Sequence, residues 1–232
     1  MKVSSPAVTE KEGFLLYKFV LFDLDGTLTD PIEGILKSVR YALHKEGLST
    51  QSNEDLSWVI GPPLKESFAQ LANTTDEAVL KRLLSGYRER FGTVGLYENL
   101  VFDGIPELLA ELVELGSRLY IATSKPTVYA EKIIEHFHLD RFFTAIAGSE
   151  LNESRTHKGE VIRYLLSTSD IVPGQSIMVG DRMHDVLGAR ENGIRTIGVL
   201  YGYSSESELQ NAGAAYVARS ITELHHLLTV NL

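Results

Sequence analysis

Apolar positions along the chain follow two different rhythms. Phe19 to Phe22 is a short continuous apolar run, the pattern of a strand buried on both faces. Asp30-Pro31-Ile32-Glu33 then reads as a helix start, with an acidic N-cap, Pro at the first helical position and Glu three residues after the cap. Ile32, Ile35, Leu36, Val39 and Leu43 recur at helical spacing until Gly47 stops the run. Trp58-Val59-Ile60-Gly61-Pro62-Pro63 breaks the chain into a loop. A helix over Leu64 to Leu71 follows. Thr74 with Glu77 reads as a capping box ahead of Val79, Leu80, Leu83, Leu84, Tyr87 and Phe91. Residues 32 to 98 thus carry helices and no strand signal.

From there the rhythm changes to strands alternating with helices. Asp103 caps a helix through Leu108, Leu109, Leu112 and Leu115. Arg118 to Ala122, Phe143 to Ala147, Ile177 to Gly180, Thr196 to Leu200 and Ala215 to Val217 read as strands. Helices open at Pro126, run over 157–168 and follow Gly180 as far as Asn192, and one from Ser220 to Leu228 closes the series. Such alternation implies parallel strands joined by right-handed crossovers. The predicted fold is therefore α/β, a doubly wound parallel sheet of Rossmann-like form, interrupted after its first strand by an all-helical insertion. Residues 1–31 and 99–232 would form the core, with residues 1–13 a loose tail, and residues 32–98 the insertion.

Composition narrows the classes. The chain has 232 residues, of which 44% are hydrophobic and 23% charged, a globular balance. A net charge of −9 argues against a nucleic-acid polymer as partner, since affinity there rests on basic patches. With no cysteine, disulfides, thiolate catalysis and cysteine metal sites are excluded, and the cytoplasm is the expected compartment. Phe14 to Tyr17, among charged neighbours, is too short for a signal peptide, and no later run reaches membrane-spanning length.

The candidate chemistry sits where buried strands end. The first strand delivers Asp23-Leu24-Asp25-Gly26-Thr27, two carboxylates one residue apart. Buried like charges repel and lose hydration, so they call for a cation or a reacting group. Gly26 allows a sharp turn with amides open to an anion. A later strand delivers Gly180-Asp181, with Asp185 four residues on. If Asp181 begins a helix, Asp185 lies one turn along on the same face, and the pair can hold a cation. Ala122-Thr123-Ser124 ends another strand in hydroxyls, and helix-start amides there add to an anion site. The other reading of Ser124 is an N-cap. Lys158 opens a helix, with Arg155 a nearby competitor. His184 reads as helix surface or as a residue behind the ligands, because hard oxygen donors dominate and favour Mg²⁺. Serine-hydrolase, Walker-type and dinucleotide-binding motifs are absent from the sequence.

Taken in chain order, these four stretches resemble motifs I to IV of the haloacid dehalogenase superfamily. Its phosphatase branch reads Asp-x-Asp-Gly-Thr at the first and Gly-Asp-x-x-x-Asp at the fourth, and its C1 cap sits where the helical insertion falls. The resemblance implies a nucleophile at Asp23, a general acid/base at Asp25, and phosphoryl binding by Thr123, Lys158 and the turn at Gly26 and Thr27, with Ser124 beside them. It further implies Mg²⁺ held by Asp23, the backbone carbonyl of Asp25, Asp181 and Asp185. Asp25 points to phosphate-ester chemistry rather than dehalogenation. Within the family, the loop Ile60 to Lys65, Tyr87 to Phe91 and Thr156-His157-Lys158 look most like bacterial 5′-nucleotidases or phosphoglycolate phosphatases. A nucleotidase is the favoured expectation; a phosphomutase and a receiver-type phospho-Asp signalling module are the alternatives. The expected partner is a nucleoside monophosphate or other small organic phosphate, the expected assembly a monomer or homodimer. Trp58, Pro62 and Lys65 are the candidates to face the substrate, with Arg88 or Arg90 behind them; otherwise Trp58 is cap core.

Overall fold

The computed structural model describes residues 17–48, 56–152 and 154–229. The expected loose tail at 1–13 lies outside them. The first strand, β1 (Phe19–Phe22), is buried along its whole length. Its alternation serves two layers at once: Val20 and Phe22 join the core on one face of the sheet, Phe19 and Leu21 that on the other. After β1 come β2 (Thr29–Asp30), α1 (Ile32–Lys45), α2 (Leu64–Leu71) and α3 (Glu77–Arg90). A single π-type turn, Phe91–Gly95, continues α3 and leads to β3 (Leu100–Val101).

The antiparallel pair β2–β3 was not foreseen. It joins Thr29 to Val101 and Asp30 to Leu100, so the insertion's entry and exit run side by side. Two-residue strands are too short for periodicity to reveal. Within the insertion, Asp76 rather than Thr74 caps α3, accepting from the amides of Ala78 and Val79. Asp76 lies directly before the first helical residue, where a cap oxygen reaches the open amides.

The remainder alternates: α4 (Ile105–Glu114), β4 (Arg118–Pro126), α5 (Thr127–His136), β5 (Phe143–Ser149), α6 (Lys158–Thr168), β6 (Ser176–Gly180), α7 (Met183–Glu191), β7 (Arg195–Val199), α8 (Glu206–Ala212), β8 (Tyr216–Ala218) and α9 (Ile221–Thr229). The six-stranded sheet runs β5-β4-β1-β6-β7-β8, every neighbouring pair parallel. The chain starts in the middle, goes one way to β4 and β5, then returns past β1 to β6. That reversal leaves a crevice at the carboxyl ends of β1, β4 and β6. The fold class is the expected one, an α/β Rossmann-like sheet with an inserted helical cap. The helix α8 carries too little periodic signal to have been read from the sequence.

Candidate active site

Each strand ending at the crevice contributes its last residues. β1 leads straight into Asp23, whose amide donates to the Val179 carbonyl of β6 at 2.9 Å. The chain then turns sharply, the Leu28 and Thr29 amides returning to the Leu24 carbonyl. Gly26 adopts φ +81°, and a Cβ there would fall 2.3 Å from Asp181 Oδ2. Glycine is needed twice over at this position, for conformation and for space. Thr27 is wholly buried, and neither it nor Gly26 lines the cavity above.

Asp23, Asp181 and Asp185 form a buried cluster, each offering a carboxylate oxygen within 4.8 Å of the others. Asp181 Oδ2 accepts from the Tyr203 amide at 2.8 Å, while buried Oδ1 has no hydrogen-bond partner. Burial, then the charges of Asp185 and Asp23, push the Asp181 carboxyl well above its usual range. Asp185 is also raised, by burial foremost, with Lys158 opposing and Asp23 adding. The expected helical geometry of this pair is corrected: α7 begins at Met183, so Asp181 stands before the helix. Asp185 sits in the first turn, its Oδ2 accepting from the Arg182 amide at 3.0 Å. An orphaned oxygen among three hard anionic donors fits a small divalent cation.

Lys158, first residue of α6, is buried among these acids. Its Nζ lies 2.7 Å from Asp23 Oδ1 and 2.7 Å from Asp185 Oδ1, and donates to the Ala122 carbonyl at 2.8 Å. Burial pulls its ammonium pKa down, but Asp185 and Asp23 more than reverse this. Arg155 is elsewhere, paired with Glu150 and lying over the Tyr164 ring. His184 is outside the cluster, its pKa lowered by burial and by Arg182 and Lys158.

A cavity of about 310 Å³ opens between this crevice and the cap. Asp23, Asp25, Thr123, Ser124 and Lys65 line it. Asp25 does not join the acidic cluster through its side chain. Its Oδ1 is 2.7 Å from Lys125 Nζ, and burial raises its pKa against the opposing charge of Lys125. Thr123 Oγ1 accepts from the Lys125 amide at 3.2 Å. The N-cap alternative for Ser124 is not realised: α5 begins at Thr127 after Pro126, without a side-chain cap. On the cap side, Pro62, Lys65 and Arg88 line the cavity, with Lys65 also 2.8 Å from Glu77. Trp58 packs against the hydrophobic core instead. Arg90 is bound in a forked pair with Glu98.

Three residues at the site escaped the sequence reading. Lys125 adjoins Thr123 and Ser124, so its place in a buried strand was an available signal. Tyr203 comes from the loop after β7, and Arg182 spans core and cap; nothing local marks either.

A buried acid cluster at the reversal of a doubly wound sheet, roofed by an inserted helical cap, defines a phosphoryl-handling hydrolase of the α/β class. The chain belongs to the haloacid dehalogenase-like hydrolase family, which matches residues 20–199. It is 49% identical to a 5′-nucleotidase of Pseudomonas aeruginosa, over 94% of this chain and 98% of that protein. A predicted phosphatase from Clostridium acetobutylicum has the same fold, with a TM-score of 0.88 and 47% identity over 91% of this chain and 98% of that one. The tyrosine-protein kinase PtkA of Mycobacterium tuberculosis is 37% identical over 92% of this chain and 73% of its own length. This chain is a family phosphatase. Among the described residues, no helix is long and apolar enough to cross a membrane.

Proposed function

We propose that this enzyme hydrolyses small phosphomonoesters, nucleoside 5′-monophosphates foremost, through an aspartyl-phosphate at Asp23. The observation that carries the reading is the division of labour between two neighbouring carboxylates. Asp23 lies in the acid cluster beside Lys158, whereas Asp25 faces the cavity with Lys125. An oxygen of Asp23 attacks phosphorus, and the bond from phosphorus to the ester oxygen breaks. Asp25 gives its proton to that leaving oxygen. Water then attacks phosphorus, passing a proton to Asp25, and the Asp23 carboxylate is released with inorganic phosphate. Thr123 and Lys158, with Ser124, are proposed to hold the phosphoryl oxygens; the Gly26 and Thr27 amides are spent inside the turn, on the Thr29 and Leu24 carbonyls.

Asp23, Asp181, Asp185 and the backbone carbonyl of Asp25 are the proposed ligands of Mg²⁺, which when bound would offset the negative charge shared by nucleophile and substrate. Residues 32–98 are taken as the cap, and the cytoplasm, suggested by the cysteine-free sequence, as the compartment. The nucleotide preference is supported by the 49% identical 5′-nucleotidase and by the largely apolar roof, where Pro62, Leu64, Tyr87 and Phe91 suit a ribose and base. Phosphoglycolate phosphatase is the second reading, supported by Arg88, which lines the cavity and makes no ion pair among the described residues. A phosphate-release panel decides between them. Higher kcat/KM for nucleoside 5′-monophosphates is the expected result; phosphoglycolate ahead of every nucleotide tenfold would overturn the choice. Retained phosphate, as accumulated sugar-phosphate isomer or as stable phosphoenzyme without turnover, would point to a mutase or a signalling module.

A further inference from the structure

The ammonium of Lys125 stands at a junction that the reaction above does not use. It is buried, 2.7 Å from Asp25 Oδ1, and lies over the face of the Phe91 ring, 4.7 Å from its centroid. Phe91 in turn stacks on Tyr87, with ring centroids 5.0 Å apart and planes at 15°. Asp25 and Lys125 come from the sheet edge, Phe91 and Tyr87 from the cap. Among the described residues Lys125 is the cation that touches the Asp25 carboxylate.

A carboxylate at the carboxyl end of β1, close to Asp23, has two possible settings. It can turn toward the acidic cluster of Asp23, Asp181 and Asp185, or toward the cavity. A buried ammonium on one oxygen decides for the cavity, because truncating it would leave the carboxylate without its charge partner. The ring face contributes a second constraint. A desolvated ammonium gains from the ring's negative face, so Lys125 is held against the cap as well as against Asp25.

We propose that Lys125 is a positioning residue that sets the Asp25 carboxyl for proton transfer to the leaving oxygen and ties this setting to the cap through Phe91. The proposal rests on the aspartyl-phosphate reading given above. It concerns the proton step, so its signature is dependence on the leaving group. A nitrophenolate leaves without a proton, and an alkoxide does not.

The test is rapid-quench measurement of phosphoenzyme formation with nitrophenyl phosphate and with an unactivated alkyl phosphate, in wild type, Lys125→Met and Lys125→Gln. Substitution should slow phosphorylation by the alkyl ester about 10- to 100-fold, within the range of general acid catalysis, and by nitrophenyl phosphate less than about threefold. Phe91→Leu, which keeps the ammonium but removes its ring face, should show the same selectivity to a smaller degree and serves if both Lys125 variants fail to fold. Equal slowing with both esters, or no slowing, would overturn the proposal. Absence of any phosphoenzyme in wild type would instead overturn the reaction on which it rests.

Discussion

Arg182, in the loop that carries Asp181, donates from Nη1 to the backbone carbonyl of Ile60 in the cap. Its Nε is held by Glu208 Oε1 at 2.9 Å, and the same carboxylate oxygen accepts from the Met183 amide. Gly61 makes the close approach possible: it has φ +103°, and a Cβ there would meet Arg182 Cγ at 2.7 Å. The guanidinium therefore joins the acidic loop of the core to the loop that lines the cavity. Arg182→Ala should raise KM for a nucleotide several-fold while changing nitrophenyl phosphate hydrolysis little, since a small substrate needs less of the roof. Steady-state kinetics on both substrates check this; equal losses on the two would count against a link to the cap.

Metal addition has a readout that does not need turnover. A cation bound to the folded site and not to the unfolded chain raises Tm by mass action. Mg²⁺ should raise the melting temperature and EDTA should reverse it. Asp181→Asn removes one of three mutually repelling buried acids, so the metal-free variant should melt no lower than metal-free wild type and should lose the response to Mg²⁺. A variant that kept the full response would remove Asp181 from the ligands.

Asp23 and Asp25 should separate kinetically. Asp23→Asn should abolish turnover and any acid-stable phosphoenzyme. Asp25→Asn should lose turnover on alkyl esters by about 10²- to 10⁴-fold yet still form phosphoenzyme from nitrophenyl phosphate. Near-native kcat in Asp23→Asn would require another nucleophile.

Lys65 and Arg88 line the cavity on its cap side, where Lys65 lies 2.8 Å from Glu77. Lys65→Ala and Arg88→Ala should shift the ratio of kcat/KM between nucleotides and phosphoglycolate by about tenfold, the range of one lost charged contact, with nitrophenyl phosphate largely unaffected. A loss of activity common to all substrates would place them in the chemistry instead of in selection.

The Arg90–Glu98 pair in the cap should act as a pH-dependent clamp. The Arg90 guanidinium, paired in a fork with Glu98, holds the Glu98 carboxyl below its ordinary value, with burial opposing and Lys37 assisting. Because the folded pKa is depressed, the folded state binds protons less readily than the unfolded chain. This contribution, on the order of 1 kcal/mol, is fully present above the unfolded value of about 4.3 and is lost as pH falls through the folded one. Thermal melts of Glu98→Gln should thus lie below wild type at neutral pH, with the gap closing under acid conditions. A gap of constant size across this range would exclude the clamp.

Much of this protein was legible along the chain because its signals are local. The buried run Phe19–Phe22 leading into acids, the hydroxyls near the end of β4, the lysine opening α6 and the acids around α7 each announce themselves by burial pattern and residue type. Parallel strands covered on both faces read as apolar runs, and their carboxyl ends are where such sheets bind ligands, so order along the sequence carried the fold class and the candidate residues together. Distances between side chains from different strands are not local, and tertiary structure alone decided them. It parted Asp25 from the cluster of Asp23, Asp181 and Asp185 and gave it Lys125. It set Trp58 against the core, partly buried, outside the cavity lining, and brought the Tyr203 amide to Asp181 and Arg182 to Ile60. The β2–β3 pairing that closes the cap's neck is likewise a contact across sequence separation, written in no periodicity. Each of these is settled by the sheet order and the packing of the cap on it, which bring together groups that the sequence holds far apart.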